Sequence, residues 1–206
     1  MNKAAQTRPR GSEDIWVEGA YKMLTESGVE AVKVMPLAKQ LGLTRTSFYW
    51  HFKDREALLE AVIRRWEDKN TGNLIARAEA FGESISEAVF NMFDCWLDPD
   101  LFDARLDLSI RNWARNDTAL QARLDLADAR RHEALKAMFM RFGYSEGQAE
   151  VRSMTMLYTQ IGYISMQVSE TDEERIERMP DYAEVFTGHP PSEQEIRRLR
   201  ARHGLA

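Results

Sequence analysis

Residues 44–51, TRTSFYWH, bring a guanidinium, three hydroxyl groups, a phenol, an indole and an imidazole into one short run. Within it, Arg45 can bond guanine O6 and N7 with two N–H groups, and Thr46 can contact a thymine methyl group or a phosphate. Tyr49 and Trp50 offer O–H and N–H donors to phosphate oxygens while their rings cover the sugar edge. The run therefore predicts a DNA contact in which Arg45 reads sequence and its neighbours mostly position it.

The same run must lie on a helix, because five consecutive bulky rings over residues 48–52 cannot all face one core. If Thr44 caps that helix, a rotation of 100° per residue turns Phe48 and Phe52 inward. The side chains left facing outward are Arg45, Thr46, Tyr49 and Trp50, with His51 at the boundary. The rings are thus divided between a small core and an exposed reading face.

A short helix is predicted ahead of this one, over Val34–Leu41. Pro36 is tolerated there because it falls in the first turn. Gly42 can take the positive φ of a tight turn, Ala38 leaves room for a helix crossing, and Leu43 fills the gap between the helices. This arrangement predicts a helix-turn-helix whose second helix enters the DNA major groove.

Two further helices flank this pair. One is predicted over Glu13–Ser27 with Ser12 as its cap. The other begins at Asp54, with Lys53 and Arg55 beside its N-terminus. Cations are unfavourable at a helix N-terminus unless a phosphate lies nearby, so both are candidate phosphate contacts.

Residues 28–63, GVEAVKVMPLAKQLGLTRTSFYWHFKDREALLEAVI, together with the helix before them, resemble the DNA-binding region of the TetR family of bacterial regulators. The most specific part of the resemblance is the spacing of Tyr49, Phe52, Arg55 and Leu58. It implies that the recognition helix spans residues 44–51 and that Tyr49 and Arg55 hold phosphates. Beyond this first third, the chain resembles the family in helical organisation only.

Two residues depart from the family pattern. Arg55 stands where Lys is usual and keeps the charge. Lys33 stands where a helix-capping Thr or Ser is usual, and can contact a phosphate instead. The candidate DNA-binding residues are Lys33, Thr44, Arg45, Thr46, Ser47, Tyr49, Trp50, His51, Lys53 and Arg55.

The first residues form a basic arm carrying Lys3, Arg8 and Arg10. Such a segment can reach an adjacent minor groove. The alternative is a solvated tail without a DNA contact.

The charge of the chain is divided unevenly. Residues 1–65 carry 11 Lys and Arg against 8 Asp and Glu, a formal +3, whereas the remaining residues carry −8 and bring the total to −5. This asymmetry suggests that the N-terminal part meets a polyanion. The predicted division is a DNA-binding domain over 1–53 and an effector-binding and dimerisation domain over 54–206.

The fold class predicted for the whole chain is all-α, because apolar residues recur at helical spacing and no sustained alternation of period two is present. Helices are expected over 54–80, 84–97, 100–115, 117–142, 145–169, 172–187 and 192–203. Capping boxes mark four of their starts: Ser84 with Glu87, Ser145 with Gln148, Thr171 with Glu174, and Ser192 with Glu195. The predicted fold is therefore a three-helix N-terminal domain followed by a helical body.

The helix over 145–169 is apolar on two sides, with small residues along it. A helix of this kind packs against its own core and often against a second subunit. We therefore expect a homodimer, whose two recognition helices bind the two halves of a palindromic operator. The alternative is that this helix is simply central to the monomer. The candidate interface residues are Met154, Tyr158, Ile161, Gly162 and Ser165.

Aromatic and methionine side chains on three other helices of the body suggest a pocket for a small, mostly apolar effector, which can carry an anionic group. Arg131 adds a cation to the same stripe. The candidate pocket residues are Met92, Phe93, Trp96, Ile110, Trp113, Arg131, Met138 and Tyr158. The alternative is that these side chains form an ordinary helical core.

Other functions find less support in the sequence. There is no Gly-rich phosphate loop, no HExxH and no nucleophile motif, so neither an enzyme nor a cofactor or metal site is expected. The acidic series Asp94, Asp98, Asp100, Asp103 and Asp107 is interpreted as a solvated helix junction. No apolar run spans a membrane and no secretory signal begins the sequence, so a cytoplasmic location is expected.

The predicted function is thus an effector-responsive, sequence-specific regulator that binds double-stranded DNA, most simply a repressor released by a small molecule. The alternative from another class is a helical adaptor that uses its helix-turn-helix as a protein contact. Salt dependence separates the two, since phosphate neutralisation makes affinity fall steeply with salt.

Overall fold

Helices account for all the regular structure in the computed structural model, which describes residues 12–205. No strand occurs within that range, so the all-α prediction is confirmed. None of its helices is both long enough and apolar enough to cross a membrane. The basic arm with Lys3, Arg8 and Arg10 lies outside the described residues.

The chain divides into two compact units, residues 1–65 and 66–206. The first contains α1 (Glu13–Ser27), α2 (Val34–Leu41), α3 (Arg45–Phe48) and most of α4 (Arg55–Trp66). The second contains a π-helical segment (Glu67–Gly72), α5 (Asn73–Glu79), α6 (Ile85–Leu97), α7 (Ala104–Ala114), α8 (Thr118–Arg141), α9 (Glu146–Ser165), α10 (Asp172–Thr187) and α11 (Glu193–Arg202).

The first compact unit ends at Arg65 and includes most of α4, because α4 is tied to the elements that precede it. Arg55 donates to the carbonyl oxygens of Val32 and Val29 at 2.5 and 2.7 Å. Further along α4, Arg65 bonds Glu18 of α1 at 2.7 Å. These contacts at both ends of the helix hold it against the elements that precede it.

The first unit has an aromatic core. Trp16 and Phe48 are fully buried and meet edge to face with ring centroids 5.2 Å apart. Phe52 stacks on Phe48 at 5.6 Å. The rings of Phe48 and Phe52, which were predicted to face inward, are therefore buried. Their packing fixes the position of residues 49–51, which lie between them.

The turn between α2 and α3 depends on Gly42, which is left-handed at φ 65° and ψ 24°. The N–H of Leu43 bonds the carbonyl of Ala38 at 2.9 Å and closes the end of α2. Thr44 then caps α3 by accepting a hydrogen bond from the N–H of Ser47 at 3.1 Å. The expected turn and cap are both present.

The predicted helix over 54–80 is one helical run interrupted by the π-helical segment. That extra width turns two consecutive polar residues, Asn70 and Thr71, into the interior, where both are buried. A π-helical insertion leaves no signal in the apolar spacing, so the sequence predicted an uninterrupted helix.

Other helix ends differ from the prediction for local reasons. α7 starts at Ala104 rather than near residue 100, because Asp103 caps it. α9 ends at Ser165 rather than at residue 169, because the backbone leaves the helical conformation at Gln167, whose φ is 51°. The capping boxes at Ser145, Thr171 and Ser192 are present. Ser84 caps α6, but Glu87 bonds the N–H of Glu83 instead of completing a box.

The last helix, α11, is fastened to α6 by polar contacts at several points. The hydroxyl of Ser84 donates a hydrogen bond to Glu195, and Arg198 forms an ion pair with Glu87 at 2.6 Å. The carboxylate of Asp94 contacts the side chains of both Arg202 and His203. Leu199 of α11 is buried in the core of the second unit. The C-terminal end of the described chain is therefore part of that unit rather than an appendage.

Candidate functional site

The side chains expected to form a reading face around residue 45 lie at the surface of the first unit. Arg45, Thr46, Tyr49, Trp50 and His51 are exposed, while Thr44 is exposed as the cap and Ser47 is half-buried. The regular helix is shorter than the predicted 44–51, since α3 ends at Phe48 and residues 49–51 continue as turns. Trp50 is 65% exposed, an unusual position for a large ring in a protein surface.

Tyr49 holds the guanidinium of Arg45 in place. Arg45 Nη2 donates to the Tyr49 hydroxyl at 3.3 Å, and its Cζ lies 5.4 Å above the phenol ring. The ring of Tyr49 is itself packed edge to face on the buried Phe48 at 5.2 Å. The core thus sets the position of Tyr49, and Tyr49 in turn sets the position of Arg45.

The cations around the start of α4 fall into two groups. Lys33 and Lys53 are exposed. Arg55 is part-buried, with two of its N–H groups on the carbonyls of the turn after α1 and its Nη1 3.7 Å from Glu56. Arg55 therefore has a structural role that spacing did not reveal, and its phosphate contact stays a prediction.

A second candidate site is a cavity within the second unit, between α6, α9 and α10, with a volume of about 50 Å³. Of the predicted pocket residues, Phe93 and Trp96 line it. The side chains of the cavity that the sequence did not single out include Met156, Gln160, Tyr163, Arg175, Met179 and Phe186. They come from α9 and α10, which the sequence assigned to dimerisation or to no site.

The other predicted pocket residues lie elsewhere in the second unit. Met92, Ile110 and Met138 are fully buried, Trp113 is half-buried, and Tyr158 is 58% exposed. None of the five lines the cavity. Core residues, surface residues and pocket residues of a helical bundle can all follow the same apolar spacing. Spacing alone therefore did not show which of these side chains line a cavity.

Arg131 belongs to a buried ion cluster, defined here as Asp107, Arg111, Asp128 and Arg131. Its Nη1 lies 3.1 Å from Asp107 and 3.2 Å from Asp128, and Arg111 bonds both acids at 2.7 Å. Asp107 and Arg131 are 0% and 1% exposed. The cluster carries two positive and two negative charges, and its carboxylates hold Arg131 Nη1, while the buried Arg131 Nη2 has no hydrogen-bond partner among the described residues. Arg131 does not line the cavity.

The acidic series does not form one solvated junction. Asp98 and Asp100 are exposed and Asp103 caps α7, but Asp107 is fully buried and bonds the indole N–H of Trp66 at 2.8 Å. The expectation for Asp107 is therefore wrong. Within residues 12–205, no three His, Cys, Asp or Glu side chains are grouped as metal ligands.

The predicted interface residues lie along one side of α9. Tyr158 and Ser165 are exposed, whereas Met154, Ile161 and Gly162 are half-buried. The opposite side, with Met156, Leu157 and Ile164, is buried in the core. Val185 of α10 adds a 68% exposed apolar side chain to the same groove as Val151 of α9.

Comparison with known proteins places these features in a wider context. Residues 17–62 match the sequence profile of the bacterial regulatory proteins of the tetR family. The class A tetracycline repressor protein from transposon 1721 of Escherichia coli is 26% identical over 148 residues, which cover 72% of this chain and 63% of that protein. An HTH-type transcriptional regulator of Staphylococcus aureus strain USA300 is 37% identical over 65 residues, covering 32% of this chain and 33% of its own length.

Both alignments thus span less than two thirds of the relatives' lengths. Among solved structures, a transcriptional regulator from Rhodococcus sp. Rha1 has the same fold, with a TM-score of 0.61 and 20% identity over 93% of this chain and 97% of that one.

Proposed function

We propose that the chain is a DNA-binding transcriptional regulator of the TetR family, and that it acts as a homodimeric repressor released from a palindromic operator by a small molecule. The support is the match of residues 17–62 to the tetR-family profile and the similarity to the class A tetracycline repressor protein. The observation that carries the DNA-binding part is the reading face of α3. Arg45 and Tyr49 are exposed there together, and their position is set by the buried Phe48.

Two features support a dimer. Tyr158 and Val185 are large apolar side chains that remain exposed on α9 and α10. An added Cβ at Gly162 would meet no atom within 4 Å, so this part of α9 has room for a partner helix. Two symmetric readers would engage half-sites about 34 Å apart or a little more.

Release by an effector is supported by the cavity of the second unit. A ligand that binds one spacing of the two reading heads better than another shifts the dimer toward that spacing. Repression as the direction of control is suggested by the E. coli relative, whose name is that of a repressor.

The test is fluorescence anisotropy of labelled DNA from upstream of the gene, titrated with the protein at two salt concentrations. We expect tight binding that weakens steeply with salt, because Lys and Arg release counterions from phosphates. Arg45→Ala should lose sequence preference, by roughly 1–3 kcal/mol at the base it reads. Tyr49→Ala should weaken binding to all sequences.

Lys22→Ala is the matched control, since it removes an exposed cation from α1 without touching α3. It should leave sequence preference unchanged. Salt-insensitive binding to a protein partner instead of DNA, with both α3 variants indistinguishable from wild type on DNA, would establish the adaptor and reject the regulator.

A further inference from the structure

The walls of the cavity between α6, α9 and α10 are mainly aromatic rings and thioethers. The apolar lining consists of Phe93, Trp96, Met156, Met179, Tyr182 and Phe186. Tyr182 and Phe186 stack with centroids 5.9 Å apart, and Phe93 stacks on Phe186 at 6.3 Å. These walls favour a flat apolar ligand, because rings gain from stacking beyond the area they bury.

One hydrogen-bond donor in this lining has no acceptor. Trp96 is 6% exposed, and its indole Nε1–H has no partner in the part of the chain that the structure describes. A buried N–H without an acceptor is costly. A ligand oxygen in the cavity would relieve that cost, so the site favours a ligand with an acceptor group.

The charges of the lining do not cancel. Glu170 is bound by Arg178 and by the hydroxyl of Tyr163, and the bond from Arg178 holds the pKa of Glu170 below its ordinary value. Arg175 is held by the carbonyl of Trp96 at 3.3 Å and lies 5.0 Å above the ring of Tyr163. Among residues 12–205, no carboxylate lies within ion-pair distance of Arg175, and Glu170 attracts it only at longer range.

Two guanidinium groups and one carboxylate therefore line the cavity, which leaves a net positive charge beside an aromatic wall. An oxygen of a ligand carboxylate suits both the donor of Trp96 and the charge of Arg175, since charge-assisted hydrogen bonds are the strong ones. We propose that this cavity is the effector site and that its ligand is a small aromatic carboxylate. This proposal rests on the proposed release of the protein from DNA by an effector.

The size of the cavity defines how such a ligand enters. About 50 Å³ holds a few water molecules, so a ring requires wall side chains to move. Met156 and Met179 are unbranched and adapt their shape readily. Tyr182 is 37% exposed and can swing outward. Binding thus repacks α6, α9 and α10, which include the helices of the proposed dimer face.

The experiment is isothermal titration of the full chain, without DNA, with three probes. Benzoate carries both ring and charge, benzamide has the ring without the charge, and acetate has the charge without the ring. We expect saturable binding of benzoate, with benzamide and acetate each at least about tenfold weaker. Equal affinity for benzoate and either of the other two, or no saturation by benzoate, would overturn the proposal.

Variants then locate the site. Arg175→Met should weaken benzoate to the level of benzamide and leave benzamide unchanged, whereas Trp96→Phe removes only the donor and should weaken benzoate less. Arg200→Met is the control, because it removes an exposed Arg of α11 outside the cavity. Unchanged benzoate affinity in Arg175→Met would place the ligand elsewhere. The three-probe comparison on the wild type holds even if a variant fails to fold.

This test separates the site from the proposed function. Salt-sensitive operator binding without benzoate binding rejects the site alone. Benzoate binding that follows the expected order of probes, in a protein that does not bind DNA, rejects the regulatory function and keeps the site.

Discussion

Replacing Asp107 by Asn removes the negative charge from the centre of the buried ion cluster. Its carboxylate accepts bonds from four N–H donors, those of Trp66, Asn70, Arg111 and Arg131, at 2.7 to 3.4 Å. An amide presents its NH₂ to at least one of these donors in either orientation. The variant also leaves Arg131 with excess buried positive charge.

The magnitude follows from this burial. Removing one partner of a fully buried ion pair costs about 3–5 kcal/mol, because the other charge stays desolvated. For a chain of this length such a loss lowers Tm by roughly 10 °C. Asp68→Asn is the control: the same chemical change at an exposed residue should alter the free energy of unfolding by less than about 0.5 kcal/mol.

The effect depends on pH in a definite direction. Burial raises the pKa of Asp107, but Arg131, Arg111 and the bond from Trp66 outweigh burial and hold that pKa below its ordinary value. A carboxylate with a lowered folded-state pKa stabilises the fold above its unfolded pKa, about 4. That stability is lost as pH falls through the folded pKa. The difference in the free energy of unfolding between the wild type and Asp107→Asn should therefore become smaller at acid pH.

The assay is urea denaturation at fixed protein concentration, at pH 7 and in the acid range where the wild type still folds. The double variant Asp107→Asn/Arg131→Met should be more stable than Asp107→Asn alone, because it leaves no unpaired buried cation. A loss below about 1 kcal/mol at pH 7, or an equal loss at both pH values, would refute this account of the cluster.

Three further predictions concern other parts of the chain. Tyr158→Arg should convert a dimer to a monomer in light scattering, whereas Leu126→Arg, which changes a similarly exposed residue on α8, should not; a dimeric Tyr158 variant would contradict the interface. Burial raises the pKa of Cys95 to about 12, so its thiol should react with a disulfide reagent at pH 8 only as fast as the protein unfolds, and fast labelling of folded protein would contradict this. Gly42→Ala should lower the free energy of unfolding by about 1–2 kcal/mol, since φ is 65° there, and unchanged denaturation would contradict a strained turn.

The first unit could be predicted from local signals. Thr44 caps the helix it was expected to cap, Gly42 makes the turn, and Phe48 and Phe52 turn inward. Each of these features depends on residues within a few positions of one another, which the sequence displays directly. The structural role of Arg55 could not be predicted in this way, because the carbonyl groups that it bonds lie more than twenty residues away in the sequence.

The second unit was predictable in its helices but not in its contacts. Apolar spacing identifies a buried stripe, yet Met92 and Phe93 share that property while only Phe93 lines the cavity. Asp107 and Arg131 are buried only because they find each other across 24 residues. Such pairings follow from tertiary packing, which periodicity does not specify.

The fastening of α11 to α6 has a consequence for the order in which the protein forms during synthesis. Ser84 and Asn91 of the α6 region bond residues 111 positions later in the chain. On the ribosome, α1 to α4 can fold while the body is still being made, since chains fold as they emerge. In the second unit, by contrast, α6 is covered only after residues 195–203 have been made. Its contacts of long sequence separation make it the slower unit to form, so a nascent chain presents a folded first unit before the second unit is complete.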